Sequence, residues 1–120
     1  MCQTRGKRRT QVQRMGMVLG VKANKIDEYK RLHADVWPEI LALLSTHNIT
    51  NYTIFLKEPE NLLFGYWEYT GADFEVDSKA IADDPKNEEW WSVCMPCQQP
   101  LEHRKSGEWW AMMEPVFHTD

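Results

Sequence analysis

Two strand-like runs, Thr50–Leu56 (TNYTIFL) and Leu62–Tyr69 (LLFGYWEY), flank Glu58-Pro59-Glu60-Asn61, a stretch with turn chemistry. So short a connection pairs them antiparallel, because a parallel return needs a crossover of a dozen or more residues. The hairpin fixes the middle of the fold, and the flanking segments must pack on or beside it. Upstream, Met15–Lys22 (MGMVLGVK) reads as a first strand, apolar enough to be covered on at least one face. Ile26, Tyr29, His33, Val36, Ile40, Leu43 and Leu44 then fall on helical spacing as far as His47, with Asn24 or Asp27 as candidate caps. Pro38 lacks an amide donor and restricts Trp37, so the helix must kink or restart there.

Downstream, Asp73–Asp84 reads as a weak helix broken at Pro85, and Asn87–Met95 as another ended at Pro96. Cys97–Gly107 is polar and turn-rich. Glu108–His118 (EWWAMMEPVFH) is strand-like, with Pro115 confining it to an edge or an interrupted strand. The order β-α-β-β-α-β is the ferredoxin-like unit of the α+β class. Its helices cover one sheet face, and the other face needs a second subunit or a ligand.

At 120 residues the chain makes a single domain with a modest core, a size at which oligomers are a natural way to cover remaining apolar surface. Charge divides it in two. Met1–Arg14 carries five basic residues and no acidic one, and reads as a disordered basic arm ahead of a domain at 15–120. The domain is strongly acidic, which disfavours nucleic acid as a partner because phosphate contacts need a basic surface. No run approaches the roughly 20 apolar residues of a membrane span, and no apolar stretch follows the basic start as a secretory signal would require. Three cysteines without a signal peptide read as reduced thiols in a cytoplasmic protein.

Candidate chemistry is concentrated in few places. Tyr29 and His33, four apart, share a helix face turned toward the sheet. Histidine titrates near ~6.5 and can exchange a proton at neutral pH, and a tyrosine phenol can bond a ligand hydroxyl. Spacing alone favours a plainer role for His33, a core histidine bonded to a backbone carbonyl. Trp90 and Trp91 offer indole faces to sugar C–H groups and N–H donors to hydroxyls, or simply fill a core or interface. Tyr52 faces either the same cavity or the opposite side, which alternation does not decide. Cys94-x-x-Cys97 with His103 nearby supplies one ligand pair where a structural zinc site needs two. P-loop, GxGxxG, GxSxG and HExxH motifs are absent from the sequence.

Taken together, Tyr29-Lys-Arg-Leu-His33-Ala-Asp-Val-Trp37-Pro38-Glu39, Asn51-Tyr52, Asn61-Leu-Leu-Phe64, Trp90-Trp91, Met95-Pro96 and the terminal Val116-Phe117 resemble the L-rhamnose mutarotase family in order and spacing, from about Met15 onward. The resemblance implies a ferredoxin-like fold of the dimeric α/β-barrel type, a homodimer joined through its sheets, and interconversion of the anomers of a monosaccharide. It maps a catalytic acid/base to His33 and sugar contacts to Tyr29, Tyr52, Trp90 and Trp91, with neither metal nor cofactor. The chain departs from the family in its basic arm, in Ala34 where a bacterial member has an amide, and across Cys97–Trp110. Two other readings share the pattern: a haem-binding or monooxygenase-type protein of the same fold, with His33 as axial ligand, and a dimeric interaction module with a tryptophan-rich interface.

Overall fold

A computed structural model describes residues 12–120, so the basic arm, except for its last three residues, lies outside the described residues. Strand β1 (Gln13–Val21) leads through a short 3-10 turn, Ala23–Lys25, into helices α1 (Ile26–Ala34) and α2 (Pro38–Thr46). The hairpin follows as β2 (Ile49–Lys57) and β3 (Leu62–Tyr69), then α3 (Phe74–Asp83) and α4 (Pro85–Cys94). A second 3-10 turn, Met95–Cys97, precedes the short strands β4 (Gln98–Gln99) and β5 (Ala111–Met113).

The sheet runs β2-β3-β1-β4, with β5 also on β1. Its pairings are all antiparallel, so β1 and β2 point the same way with β3 between them, as the ferredoxin-like reading requires. Register fixes the faces. Met15, Met17 and Leu19 stand opposite Trp67, Gly65 and Leu63, while Ile54 and Leu56 continue the row onto β2. This face meets the helices: Leu19, Val21 and Leu63 pack with Ile26 and Tyr29 of α1, and Ile49 and Tyr69 pack with Ile81 of α3. A third cluster joins Ile40 of α2 to Trp90 and Cys94 of α4. The opposite face carries Val18, Phe64, Phe55 and Met113, and Phe55 is 62% exposed.

The helix boundaries have local causes. Asp35–Trp37 is not helical and Pro38 occupies the first turn of α2, so the expected kink is a full restart. Asp73 caps α3 by accepting from the Val76 amide, and Asp84 caps α4 by accepting from the Lys86 and Asn87 amides at 2.8 and 3.3 Å. Pro85 therefore starts α4 as well as ending its predecessor. Neither Asn24 nor Asp27 caps α1, because the 3-10 turn runs directly into it and Lys25 takes the cap position without a side-chain bond.

Two departures concern the C-terminal part. The predicted strand over Glu108–His118 is only Ala111–Met113, as Pro115 cannot continue the ladder. Within the stretch read as turn-rich, Gln98–Gln99 pairs with Gly20–Val21 instead.

Candidate active site

The site forms where α1 and α4 lie over the sheet. Tyr29 and His33 stack with ring centroids 4.1 Å apart, and Trp90 from α4 packs at a steep angle on His33 with centroids 5.3 Å apart. Trp37, at the α1–α2 break, braces Trp90 from another side at 5.1 Å. His33 Nδ1 lies 2.9 Å from the Tyr29 carbonyl oxygen, which can only accept, so Nδ1 carries the proton. The carbonyl bond expected of a core histidine is present, yet it uses one ring nitrogen alone. Nε2 keeps its lone pair and has no hydrogen-bond partner among the described residues. Burial lowers the His33 pKa below its usual value, opposed by the backbone bond, so the ring is neutral at pH 7.

The Tyr29 phenol is held from below. Gln98 Nε2 donates to it at 3.4 Å, and Gln98 Oε1 accepts from the Trp109 indole at 2.7 Å. Burial pushes the Tyr29 pKa up to about 12, against the bond from Gln98, so the phenol stays an O–H donor. Tyr52 owes its direction to a β-bulge between Thr50 and Thr53, where Asn51 takes a positive φ of 51°. The bulge puts Ile49, Tyr52 and Ile54 all toward the helices, and Tyr52 meets Trp67 edge-on at 5.1 Å. The residue keeps 37% of its surface exposed, but it is the phenol end that titrates. Burial of that end, then the neighbouring Tyr29 and Cys94, raise its pKa.

Two cavities flank this aromatic seam. The larger, about 300 Å³, is lined by Tyr52, Trp67, Trp90, Trp109 and Trp110 among others, with Trp91 at 42% exposure on its rim. The smaller, about 260 Å³, is lined by Tyr29, His33, Lys30, Ile54 and Leu56. The five residues singled out in the sequence thus do not line one cavity: Tyr29 and His33 belong to the smaller, and Tyr52, Trp90 and Trp91 to the larger. The His33–Trp90 contact and the Gln98–Tyr29 bond lie between the two. The larger volume stands at the lower bound of the roughly 300–1,000 Å³ of small-molecule sites and the smaller just beneath it, a size suited to a single sugar ring.

Sequence reasoning missed Gln98, Asn87, Trp67, Trp109 and Trp110. The last two come from the stretch that departs from the family pattern. Trp110 reaches the sheet over Gly65, where an added Cβ would stand 3.3 Å from its ring. Cys94 and Cys97 are buried, with burial pushing the Cys94 thiol up to about 12 and raising that of Cys97. Thiols so placed are poor nucleophiles and poor ligands. Among the described residues no three His, Cys, Asp or Glu side chains gather as a metal site would need.

Comparison with known proteins identifies the family. A family profile described as L-rhamnose mutarotase matches residues 14–119. An L-rhamnose mutarotase of Oceanobacillus iheyensis is 40% identical over 85 residues, which cover 71% of this chain and 79% of the relative. One from Pectobacterium atrosepticum is 38% identical over 113 residues, covering 89% and 98%. The crystal structure of L-rhamnose mutarotase FA22100 from Formosa agariphila superposes with a TM-score of 0.71 at 22% identity, covering 90% of this chain and 99% of that one, a likeness of fold. With its profile matched along almost the whole described chain, this protein belongs to the L-rhamnose mutarotase family.

Proposed function

We propose that this chain interconverts the α and β anomers of a monosaccharide of the L-rhamnose type, with His33 moving the proton. The observation that carries the reading is the fixed tautomer of His33: a neutral imidazole anchored through Nδ1, its ring lining the smaller cavity with Nε2 free and packed against Trp90, which lines the larger one.

The chemistry asks little else. Nε2 takes the proton from the C1 hydroxyl and the imidazolium returns one to the ring oxygen, while the C1–ring-oxygen bond breaks and C1 becomes an aldehyde. Rotation about C1–C2 offers the other carbonyl face. Reversal of the same transfers closes the ring as the opposite anomer, so protons and electrons balance without a co-reactant. Such acid/base assistance is worth roughly 10²–10⁴-fold. Tyr29 and Tyr52, both neutral donors, hold sugar hydroxyls, and Trp90 and Trp91 give the ring apolar faces.

The same reading covers assembly and setting. A second copy packs on the outer sheet face, where Phe55 and Met113 are exposed and the terminal Val116 and Phe117 stand clear of the body. The buried free thiols fit a reducing cytoplasm, and no described helix is long and apolar enough to cross a membrane. We assign the reaction to residues 15–120, with Met1–Arg14 as an accessory arm.

Saturation-transfer NMR of anomer exchange on L-rhamnose, L-fucose, L-lyxose and D-glucose tests this directly. Exchange of one of these sugars, abolished in His33→Ala, is expected. Exchange surviving in that variant would reject His33, and none with any sugar would reject the reaction.

A further inference from the structure

Asn87 is the buried polar group that the mechanism leaves unused. It sits in the first turn of α4, where the Asp84 cap and Pro85 fix the backbone, and only 2% of its surface is exposed. Asn87 is among the residues that line the larger cavity, with Ser78, Trp90 and Trp91, although Nδ2 itself has essentially no accessible surface. Trp90 and Trp91 follow it by three and four residues, so all three share one side of the helix. Among the described residues the amide nitrogen Nδ2 has no hydrogen-bond partner, and it is the sole buried side-chain nitrogen or oxygen in that condition.

An amide buried without a partner loses its hydrogen bonds to water and gains none, and native interiors rarely leave one so unless something else supplies the acceptor. The surroundings argue that the acceptor is a ligand. The cavity that Asn87 lines is walled mainly by indole rings and aliphatic side chains, and an indole N–H is itself a donor that cannot accept. A sugar hydroxyl oxygen can.

We infer that Asn87 is a specificity-determining sugar ligand, its amide turning on binding so that Nδ2 donates to a ring hydroxyl away from the anomeric carbon. This rests on the sugar-binding reading above. The position follows from the two cavities: His33, which must meet C1 and the ring oxygen, lines the smaller, whereas Asn87 lines the larger. The hydroxyl addressed is therefore one of those at C2 to C4 of an L-rhamnose-type ring. A sugar lacking it leaves the amide unpaired, as in the free protein, and binds correspondingly less well.

The experiment compares wild type with Asn87→Leu, which keeps the bulk and removes the donor. Tryptophan fluorescence titration gives Kd for L-rhamnose and its 2-, 3- and 4-deoxy analogues. In wild type one analogue binds about tenfold or more weaker than L-rhamnose, the ratio expected of a single neutral hydrogen bond. In Asn87→Leu the L-rhamnose Kd rises by about the same factor, and the gap to that analogue closes to within about twofold. Asn87→Ala, which cannot overpack, shows the same closure. The sugar-free Leu variant melts at or above the wild-type temperature, since an unsatisfied amide has been removed. A merely structural Asn87 predicts the reverse: a clearly lower melting temperature and equal weakening for all four sugars, and that result overturns the proposal. Unchanged preferences with intact anomer exchange also overturn it while leaving the reaction standing. Selective binding that Asn87→Leu abolishes, without exchange in wild type, would uphold Asn87 and reject the reaction. No binding of any of the four sugars would reject both.

Discussion

His33 donates its Nδ1 proton to the main-chain carbonyl of Tyr29, one turn earlier on α1, at 2.9 Å. The bond sets the tautomer, and the stacked Tyr29 ring holds the imidazole plane. A residue four positions away thereby decides which nitrogen of His33 is available. Because the acceptor is a carbonyl of the same helix, the arrangement needs no partner from elsewhere in the fold and forms whenever α1 forms.

The consequence for pH is specific. Burial lowers the folded pKa of His33 beneath the ordinary value near ~6.5, and the free base is the form that accepts the C1 proton. The midpoint of the acid limb of the anomer exchange rate should therefore lie below pH ~6.5. Stability follows the same sign. Between the two pKa values the unfolded chain binds a proton that the folded one does not, so stability falls as pH drops from ~6.5 to the lowered value and is flat above ~6.5. His33→Gln should abolish this acid-side loss in urea melts across pH 5 to 8. An acid limb with its midpoint at or above 6.5 would contradict the assignment.

Gln98 links Trp109 to Tyr29, accepting from one and donating to the other. Replacing it with Met preserves length and apolar packing but strands the Trp109 donor and releases the Tyr29 phenol. The expected loss is about 1–3 kcal/mol in urea denaturation, the cost of one buried donor left unpaired. Weaker sugar binding should accompany it, because Tyr29 is then free to turn. Trp109→Phe should recover part of the stability in the Gln98→Met background, since the orphaned donor is gone. Additive effects of the two changes would show that the pair is not coupled.

What could be read from the sequence divides along physical lines. The span of β3, the restart at Pro38 and the helical face shared by Tyr29 and His33 depend on neighbours a few residues apart, and local pattern carries them. The side to which Tyr52 turns does not, because a bulge shifts the alternation and its only signal is Asn51, one asparagine among several. Gln98 reaches Tyr29 across 69 positions by pairing beside Gly20, and nothing in a polar, turn-rich stretch announces that partner. Asn87 was hidden for another reason: an amide in a helix looks solvent-facing until the helix is packed.

Gly20 makes the approach of β4 to β1 feasible. A Cβ there would lie 2.4 Å from the Gln99 carbonyl oxygen, a backbone atom with no side-chain freedom to yield. Gly20→Ala should therefore push Gln98–Gln99 off the edge of β1, at a cost of about 1–3 kcal/mol typical of overpacking. Gln98 would move with its strand, so the variant should also disturb Tyr29. In proton spectra the Trp109 indole N–H, bonded to Gln98, should shift or broaden in Gly20→Ala while the Trp67 N–H, bonded to Met15, stays in place. An unmoved Trp109 signal would mean that the strand accommodates the methyl group elsewhere.

The outer sheet face yields the last prediction. Phe55 stands opposite Phe64 in the β2–β3 ladder and remains 62% exposed, with Met113 on the same face at the far side of β1. An apolar stripe across a sheet face has two stable fates in water, burial against another surface or aggregation. If a second copy buries it, Phe55→Glu places an unpaired, desolvated charge in the interface on each protomer, an arrangement that dissociates dimers. Sedimentation velocity should find wild type as a dimer and Phe55→Glu as a monomer at the same concentration. The variant's thermal stability should become independent of protein concentration, whereas that of wild type rises with it. Wild type sedimenting as a monomer at high concentration would exclude the interface, and the exposed phenylalanine would then need a different partner.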